Sequence, residues 1–198
     1  MAVQRTVAIL VFDEVEVLDF CGPYEVFSVT GRDCNPRPFR VLLVAERPGP
    51  VLARNALSVN PHHTLADCPP AELLLVPGGQ GTRRIMNEPA VVEWVRSRAT
   101  GAELVLSVCT GALVLAKAGL LNGLEATTHH GAMDLLRQVA PNTAVRENTR
   151  FVDNGRVITS GGIAAGIDMS LHVVARLLGA ETAADTARYM EYPYSRKT

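Results

Sequence analysis

Cys109 stands where a strand-like run gives way to a helix-like one. Leu104 to Val108 is a short apolar run, long enough for a buried strand and too short for a helix. After Cys109-Thr110-Gly111 come Ala112, Leu113, Leu115, Ala116 and Ala118, all good helix formers. A strand that turns at once into a helix presents its corner residue to the helix's free N–H groups, and these favour an anion. A thiol placed there can be held as a thiolate nucleophile. The pattern is a nucleophile elbow with Cys in place of Ser and Gly only on the far side. The plainer alternative is a small buried core cysteine.

A nucleophilic thiol also needs a partner for its proton. Asp19 falls just beyond the first apolar run of the chain, where such a partner could sit. Two negative charges in contact repel, so Asp19 beside a Cys109 thiolate is expected to hold the proton and donate it in a hydrogen bond. Burial and the like charge would raise its pKa and leave a general acid near neutral pH. Read locally, Asp19 is an N-cap or turn residue. Negative charge that develops at the thiol needs donors, and the backbone N–H groups of the Gly78-Gly79 turn and of Thr110, with the Thr110 hydroxyl, are of the right type. The same glycines could serve only close helix–strand packing. His129 lies at a strand-like end after Cys109, so a Cys–His contact is open to it. The pairs His62-His63 and His129-His130 point to opposite sides of an extended chain and make poor chelates, no H-E-x-x-H occurs, and no metal is expected. His172 and Asp168 fall within an apolar helical stretch, where structural roles are expected.

The elements that must position these residues alternate. Strands are predicted at Thr6 to Phe12, Phe39 to Ala45, Leu73 to Val76 and Leu104 to Val108, all nearly continuous apolar runs typical of strands covered on both faces. Helices are predicted within Val17 to Ser28, where Pro23 suits a first turn and leaves Asp19 in the connection or that turn, and at Pro89 to Arg98, Ala132 to Val139, a long apolar stretch that ends near Leu178, and Glu181 to Met190. Val51 to Pro61 reads as a hairpin-like excursion, a short strand begins near Ala126, and Asn154-Gly155 is a hairpin turn between Arg150–Asp153 and Arg156–Ser160. Alternating strands and helices of this kind imply a parallel sheet between helical layers. Ligands of such sheets bind beyond the carboxyl ends of the strands, where Asp19, Gly78-Gly79 and Cys109 all fall. The turn Gly79-Gln-Gly-Thr-Arg-Arg84 lacks the third glycine of a dinucleotide fingerprint and the G-K-[S/T] of a P-loop.

At 198 residues, without repeat or linker, the chain is expected to form one domain, residues 1–198. A net charge of −1 with dispersed Lys and Arg leaves no footprint for nucleic acid. No apolar run approaches the roughly 20 residues of a membrane span, and no secretion signal is read at the N-terminus. Cys21, Cys34, Cys68 and Cys109 are widely spaced, as expected of reduced thiols in a cytoplasmic protein.

Ser107-Val-Cys-Thr-Gly-Ala-Leu-Val-Leu115, Gly119-Leu-Leu-Asn-Gly123 and Ala126-Thr-Thr-His129 resemble the DJ-1/PfpI superfamily, as do Leu18-Asp-Phe-Cys-Gly-Pro23, Ala66-Asp-Cys-Pro-Pro70, Val76-Pro-Gly-Gly79 and Gly161-Gly-Ile-Ala-Ala-Gly-Ile-Asp168. Within it the pattern is similar to the isonitrile hydratase subgroup, including the ending Glu191-Tyr192. The resemblance implies an α/β, flavodoxin-like three-layer sandwich, class I glutamine amidotransferase-like, that forms a homodimer. It implies Cys109 as nucleophile, Asp19 as its acid partner and Thr110 as catalytic neighbour. Gly78, Gly79 and Thr110 would be the backbone donors, and His129 and Gly22 candidates for the pocket. The implied reaction adds water to a small-molecule isocyanide to give an N-substituted formamide through a thioimidate, without cofactor. Other members imply a thiol redox or electrophile sensor, or a glyoxalase- or deglycase-like enzyme. PfpI-type peptidases carry His directly after the nucleophile, where this chain has Thr110. The DJ-1 branch has Glu where this chain has Asp19. Sensor domains of AraC-type regulators share the C-T-G and T-T-H patterns, but no helix-turn-helix module is expected before Thr198.

Overall fold

A computed structural model describes residues 4–194. In chain order the elements are β1 (Arg5–Leu10), α1 (Val17–Val29), β2 (Phe39–Ala45), β3 (Val51–Leu52), β4 (Ser58–Val59), β5 (His63–Thr64), β6 (Leu73–Val76), α2 (Thr82–Ile85), α3 (Pro89–Gly101), β7 (Leu104–Val108), α4 (Gly111–Lys117), β8 (Glu125–Ala126), α5 (Met133–Val139), β9 (Ala144–Val145), β10 (Phe151–Asp153), β11 (Val157–Ser160), α6 (Ala165–Leu178) and α7 (Ala180–Tyr189). The main sheet runs β10-β11-β7-β6-β1-β2-β5, parallel except for the edge strand β10. Registers such as Ile9↔Leu43, Ile9↔Leu75, Leu75↔Leu106 and Leu106↔Ile158 line up buried apolar residues from β2, β1, β6, β7 and β11. This is why the strands read as unbroken apolar runs: both faces are covered by helices.

Helices α1, α6 and α7 pack together, and α3, α4 and α5 form a second group. The chain leaves β1 toward β2 on one side and returns to β6 on the other. The strand order therefore reverses between β1 and β6, and a crevice opens there beyond the carboxyl ends. Three connections meet at that crevice: the turn after β1, the Gly78-Gly79 turn after β6, and the β7–α4 corner. The first two are tied directly, by a bridge between Val15 and Gly79 and by a 2.9 Å bond from the Glu16 amide to the Gly78 carbonyl.

The predicted strands and long helices are present with ends shifted by a few residues, except that Pro23, expected in a first helical turn, lies inside α1, which already begins at Val17. The first strand closes at Leu10 rather than Phe12, although the Val11 amide still reaches the Val44 carbonyl at 2.7 Å. The excursion after β2 is a two-residue ladder, Val51↔Val59 and Leu52↔Ser58. It is joined to the turn after β1 through Glu14 and Arg54 amides. The short strand expected near Ala126 is β8, which ends rather than begins there, while the edge strand β5 and β9, the parallel partner of β8, have no counterpart in the predicted elements.

Candidate active site

Cys109 sits on the β7–α4 corner with φ 56°, a left-handed conformation that a non-glycine residue adopts at a cost. Its amide donates to the carbonyls of Ser160 and Gly161 at 3.2 and 3.1 Å, and its carbonyl accepts the Thr128 hydroxyl at 2.7 Å. The corner is thus held from β11 on one side and from the segment before α5 on the other. The thiol-bearing residue is 5% exposed.

Asp19 lies in the first turn of α1 and is fully buried. Its Oδ2 accepts the Gly78 amide at 3.0 Å, while among the described residues Oδ1 has no partner at full hydrogen-bonding geometry. The Cys109 thiol and the Ile163 amide therefore reach the carboxyl only loosely. Burial pushes the Asp19 carboxyl up to about 7 and outweighs the pull of the Gly78 amide and the thiol; the nearby Glu16 charge adds to the rise. Cys109 is pushed up to about 12, first by burial and then by the Asp19 charge, against the Thr110 amide and hydroxyl, which favour the thiolate. The Asp19 expectation and the Cys109 expectation part here. For Asp19 the direction is the one expected; for Cys109 burial and the Asp19 charge act against the helix N-terminus that would favour a thiolate. A helix dipole contributes up to about 2 kcal/mol, whereas full burial can shift a group by about 3–5 pH units, so burial wins.

Gly78 is what lets the pieces meet. A Cβ there would lie 2.5 Å from the Thr110 nitrogen, 2.7 Å from Asp19 Oδ2 and 2.7 Å from the Cys109 Cβ. Contrary to the expectation of open donors, the amides of Gly78 and Gly79 are both engaged, the first by Asp19 and the second by the Thr110 hydroxyl at 3.0 Å. The Thr110 hydroxyl also meets the Thr82 hydroxyl at 2.9 Å and the Gly79 carbonyl at 3.2 Å. Thr110 thereby links the turn after β6 to the corner after β7.

His129 stands at the rim. Its Nδ1 accepts the Gly131 amide at 3.1 Å, its ring lies 4.1 Å from that of His130, and Gly162 leaves room for it, since a Cβ there would come within 2.3 Å of His129 Cδ2. Burial, His130 and Arg83 lower its pKa, against Glu16, and favour the neutral ring. Among the described residues no hydrogen bond joins it to Cys109. Gly22 does not face the thiol: it lies at the crossing of α1 and α6, where a Cβ would press on Ile167 Cγ1 at 2.9 Å. His172 and Asp168 hold structural pairs, His172 with Asp153 at 2.7 Å and Asp168 with Arg150 at 2.5 Å and Tyr192 at 2.9 Å.

Sequence reasoning passed over Thr82, Arg83, Thr128 and Ile163. The hydroxyls serve here as spacers between turns, which no spacing in the chain announces. Ile163 has φ 55°, a rare state for a β-branched residue, and directs its amide toward Asp19.

Sheet and corner together define a class: an α/β protein with a cysteine at a strand-to-helix corner, paired with a buried carboxyl at the topological switch point. The chain belongs to the DJ-1/PfpI family, whose pattern matches residues 5–176. It is 38% identical to the isonitrile hydratase of Pseudomonas putida over 97% of this chain and 79% of that protein. It is 32% identical to the HTH-type transcriptional regulator CdhR of Pseudomonas aeruginosa over 84% of this chain, which spans about half (49%) of that protein. A crystal structure of a THiJ/PfpI family protein from Pseudomonas syringae superposes with a TM-score of 0.87 at 29% identity, covering 99% of this chain and 78% of that one. The fold is accordingly the flavodoxin-like sandwich.

Proposed function

We propose that this chain is a cysteine-dependent hydro-lyase that adds water to an isocyanide and releases an N-substituted formamide, working without a cofactor. The observation that carries the reading is the Asp19–Cys109 pair: a buried carboxyl held by the Gly78 amide, brought against the corner cysteine across a glycine that leaves no room for a Cβ, with burial raising both groups. The 38% identity to an isonitrile hydratase supports the substrate class.

The chemistry follows from where the protons are. In the resting pair burial favours the protonated thiol on Cys109 and raises the Asp19 carboxyl toward neutral pH, so Asp19 can take up and release a proton there. Asp19 takes the thiol proton and passes it to the terminal isocyanide carbon as the sulfur bonds to that carbon, giving a thioimidate, R–N=CH–S–Cys109. Water then adds to the same carbon. Asp19 moves one proton of that water to the imine nitrogen, the C–S bond breaks, and the remaining hydroxyl proton returns to sulfur. The sum is R–NC plus water giving R–NH–CHO, with thiol and carboxyl restored. The Thr110 amide and hydroxyl stabilise negative charge on sulfur during both C–S steps.

The test is to incubate the pure protein with simple alkyl and aryl isocyanides and follow formamide by NMR. Turnover that disappears in Cys109→Ala is expected; no turnover, or turnover that survives the substitution, rejects the reading. The proposal includes a homodimer. Leu18 and Ile163, each 38% exposed, flank the corner, and a second copy would cover them. Sedimentation velocity should show a species of twice the chain mass, and Leu18→Lys should shift it toward the monomer.

A further inference from the structure

Beside the corner two adjacent arginines are treated differently. Arg84 is neutralised by Glu46 at 3.6 Å and Glu88 at 3.8 Å. Arg83 has no carboxylate within ion-pair distance among the described residues. Its Nη1 is instead anchored on the protein, 3.3 Å from the Gly79 carbonyl and 3.4 Å from the Thr82 hydroxyl. Both anchors belong to the network that holds Thr110, since Gly79 donates to the Thr110 hydroxyl and Thr82 meets it at 2.9 Å. The charge is also felt across the rim at His129, whose pKa it helps to lower. This cation touches the turn after β6 and acts on the ring before α5, and it is held on the same Gly79–Thr82–Thr110 network that supports the Cys109 corner. Among the described residues only Nη1 of Arg83 is spent on the protein, which leaves the fork of Nε and Nη2 donors for a planar anion.

We infer that Arg83 is a specificity-determining residue that selects, among small molecules reaching Cys109, those bearing a carboxylate or similar anionic group. On the isocyanide reading proposed above, on which the substrate class rests, this means an isocyanide carrying an acid rather than a plain hydrocarbon one. The other groups that face the rim fit one anionic head. His129 is favoured neutral, with Nδ1 taken by Gly131, so it offers an Nε2–H donor and no competing positive charge. Glu16 is the opposing charge: it acts on both His129 and Asp19 but forms no ion pair with Arg83. An anion is therefore directed to the Arg83 side of the mouth and away from the α1 side.

The selection is testable on the thiol itself, apart from turnover. Cys109 is alkylated in parallel with iodoacetate and with neutral iodoacetamide; in each case an S–C bond forms, iodide leaves, and the thiol proton goes to solvent. Mass spectrometry of the Cys109 peptide gives the ratio of the two rates, and exposed Cys34 in the same sample is the internal reference. Arg83→Gln should lower the iodoacetate-to-iodoacetamide ratio at Cys109 by about threefold or more while the ratio at Cys34 stays fixed, the size expected of one partly screened charge near the site. Glu16→Gln should raise it. Any general effect of either substitution on thiol reactivity cancels in the ratio. A ratio at Cys109 that Arg83→Gln leaves unchanged overturns the inference, and so does an equal fall with both reagents, which would make Arg83 a support for the Gly79–Thr82 turn only. A panel of neutral and carboxylate-bearing isocyanides supplies the second arm: in the wild type the acid should show the lower KM, and Arg83→Gln should raise that KM more than the KM of the neutral compound. If no isocyanide turns over but the alkylation ratio moves as stated, the hydratase reading fails and anion selection stands. If turnover is seen with a flat ratio, the reverse holds.

Discussion

The Thr110 hydroxyl shows how one side chain can set the state of the whole corner. It accepts the buried Gly79 amide, meets Thr82, and favours negative charge on the adjacent sulfur. Thr110→Val keeps the shape but strands a buried N–H, which costs about 1–3 kcal/mol. We expect a matching drop in urea stability together with a slower formamide rate; a variant that loses neither leaves Thr110 without the role given to it. Asp19 acts on the same sulfur with the opposite sign. Its charge is the second cause of the raised Cys109 thiol, so Asp19→Asn should let that pKa fall back toward the ordinary thiol value. Alkylation of Cys109 by iodoacetamide at pH 8 should then be faster in Asp19→Asn than in the wild type, even as isocyanide hydration is lost. Slower alkylation in the variant would mean that Asp19 assists the thiolate rather than opposing it.

Elements succeed or fail here by how closely their backbones approach. Gly78→Ala would set a methyl against the Thr110 nitrogen and the Cys109 Cβ, neither of which can swing away. Overpacking of that kind costs about 1–3 kcal/mol, and the variant should also lose thiol-dependent activity. Gly101, at the end of α3 with nothing within 4 Å of a built Cβ, is the control: Gly101→Ala should be neutral or stabilising by about 0.4–1 kcal/mol. Urea midpoints for the pair separate a close-approach glycine from an incidental one. The same distinction explains what could be read from the chain. β1, β2, β6 and β7 were legible because burial on both faces leaves an apolar run, and Asn154-Gly155 because a tight hairpin turn demands those residues. Strands β5 and β9 are two residues long, too short to carry a period, and their partners lie far away in sequence. The approach of Asp19 to Cys109 could be anticipated from strand ends alone. The inward engagement of the Gly78 and Gly79 amides could not, because it depends on which way the Asp19 carboxyl and the Thr110 hydroxyl turn, and nothing in the sequence marks Ile163 as left-handed.

For the molecule as a whole, the buried carboxyl at the switch point should make stability fall as pH rises. An unfolded Asp titrates near 3.9, whereas Asp19 in the fold titrates at about 7. Below both values the two states are protonated alike and nothing is gained or lost. Between about pH 4 and pH 7 the unfolded chain has released this proton while the fold retains it, so unfolding becomes easier with each step upward; above about 7 the effect is complete. A shift of about 3 units corresponds to roughly 4 kcal/mol, a large share of the 5–15 kcal/mol by which domains are usually held together. Asp19→Asn removes the titration while keeping an acceptor for the Gly78 amide. It should therefore unfold at higher urea than the wild type at pH 8, and the advantage should vanish or reverse at pH 4.5. That outcome would mark the carboxyl as retained for its chemistry at a cost to the fold. Parallel stability profiles for the two proteins across this range would mean that Asp19 is ionised in the fold at ordinary cost, and that the pair with Cys109 has no proton to move near neutrality.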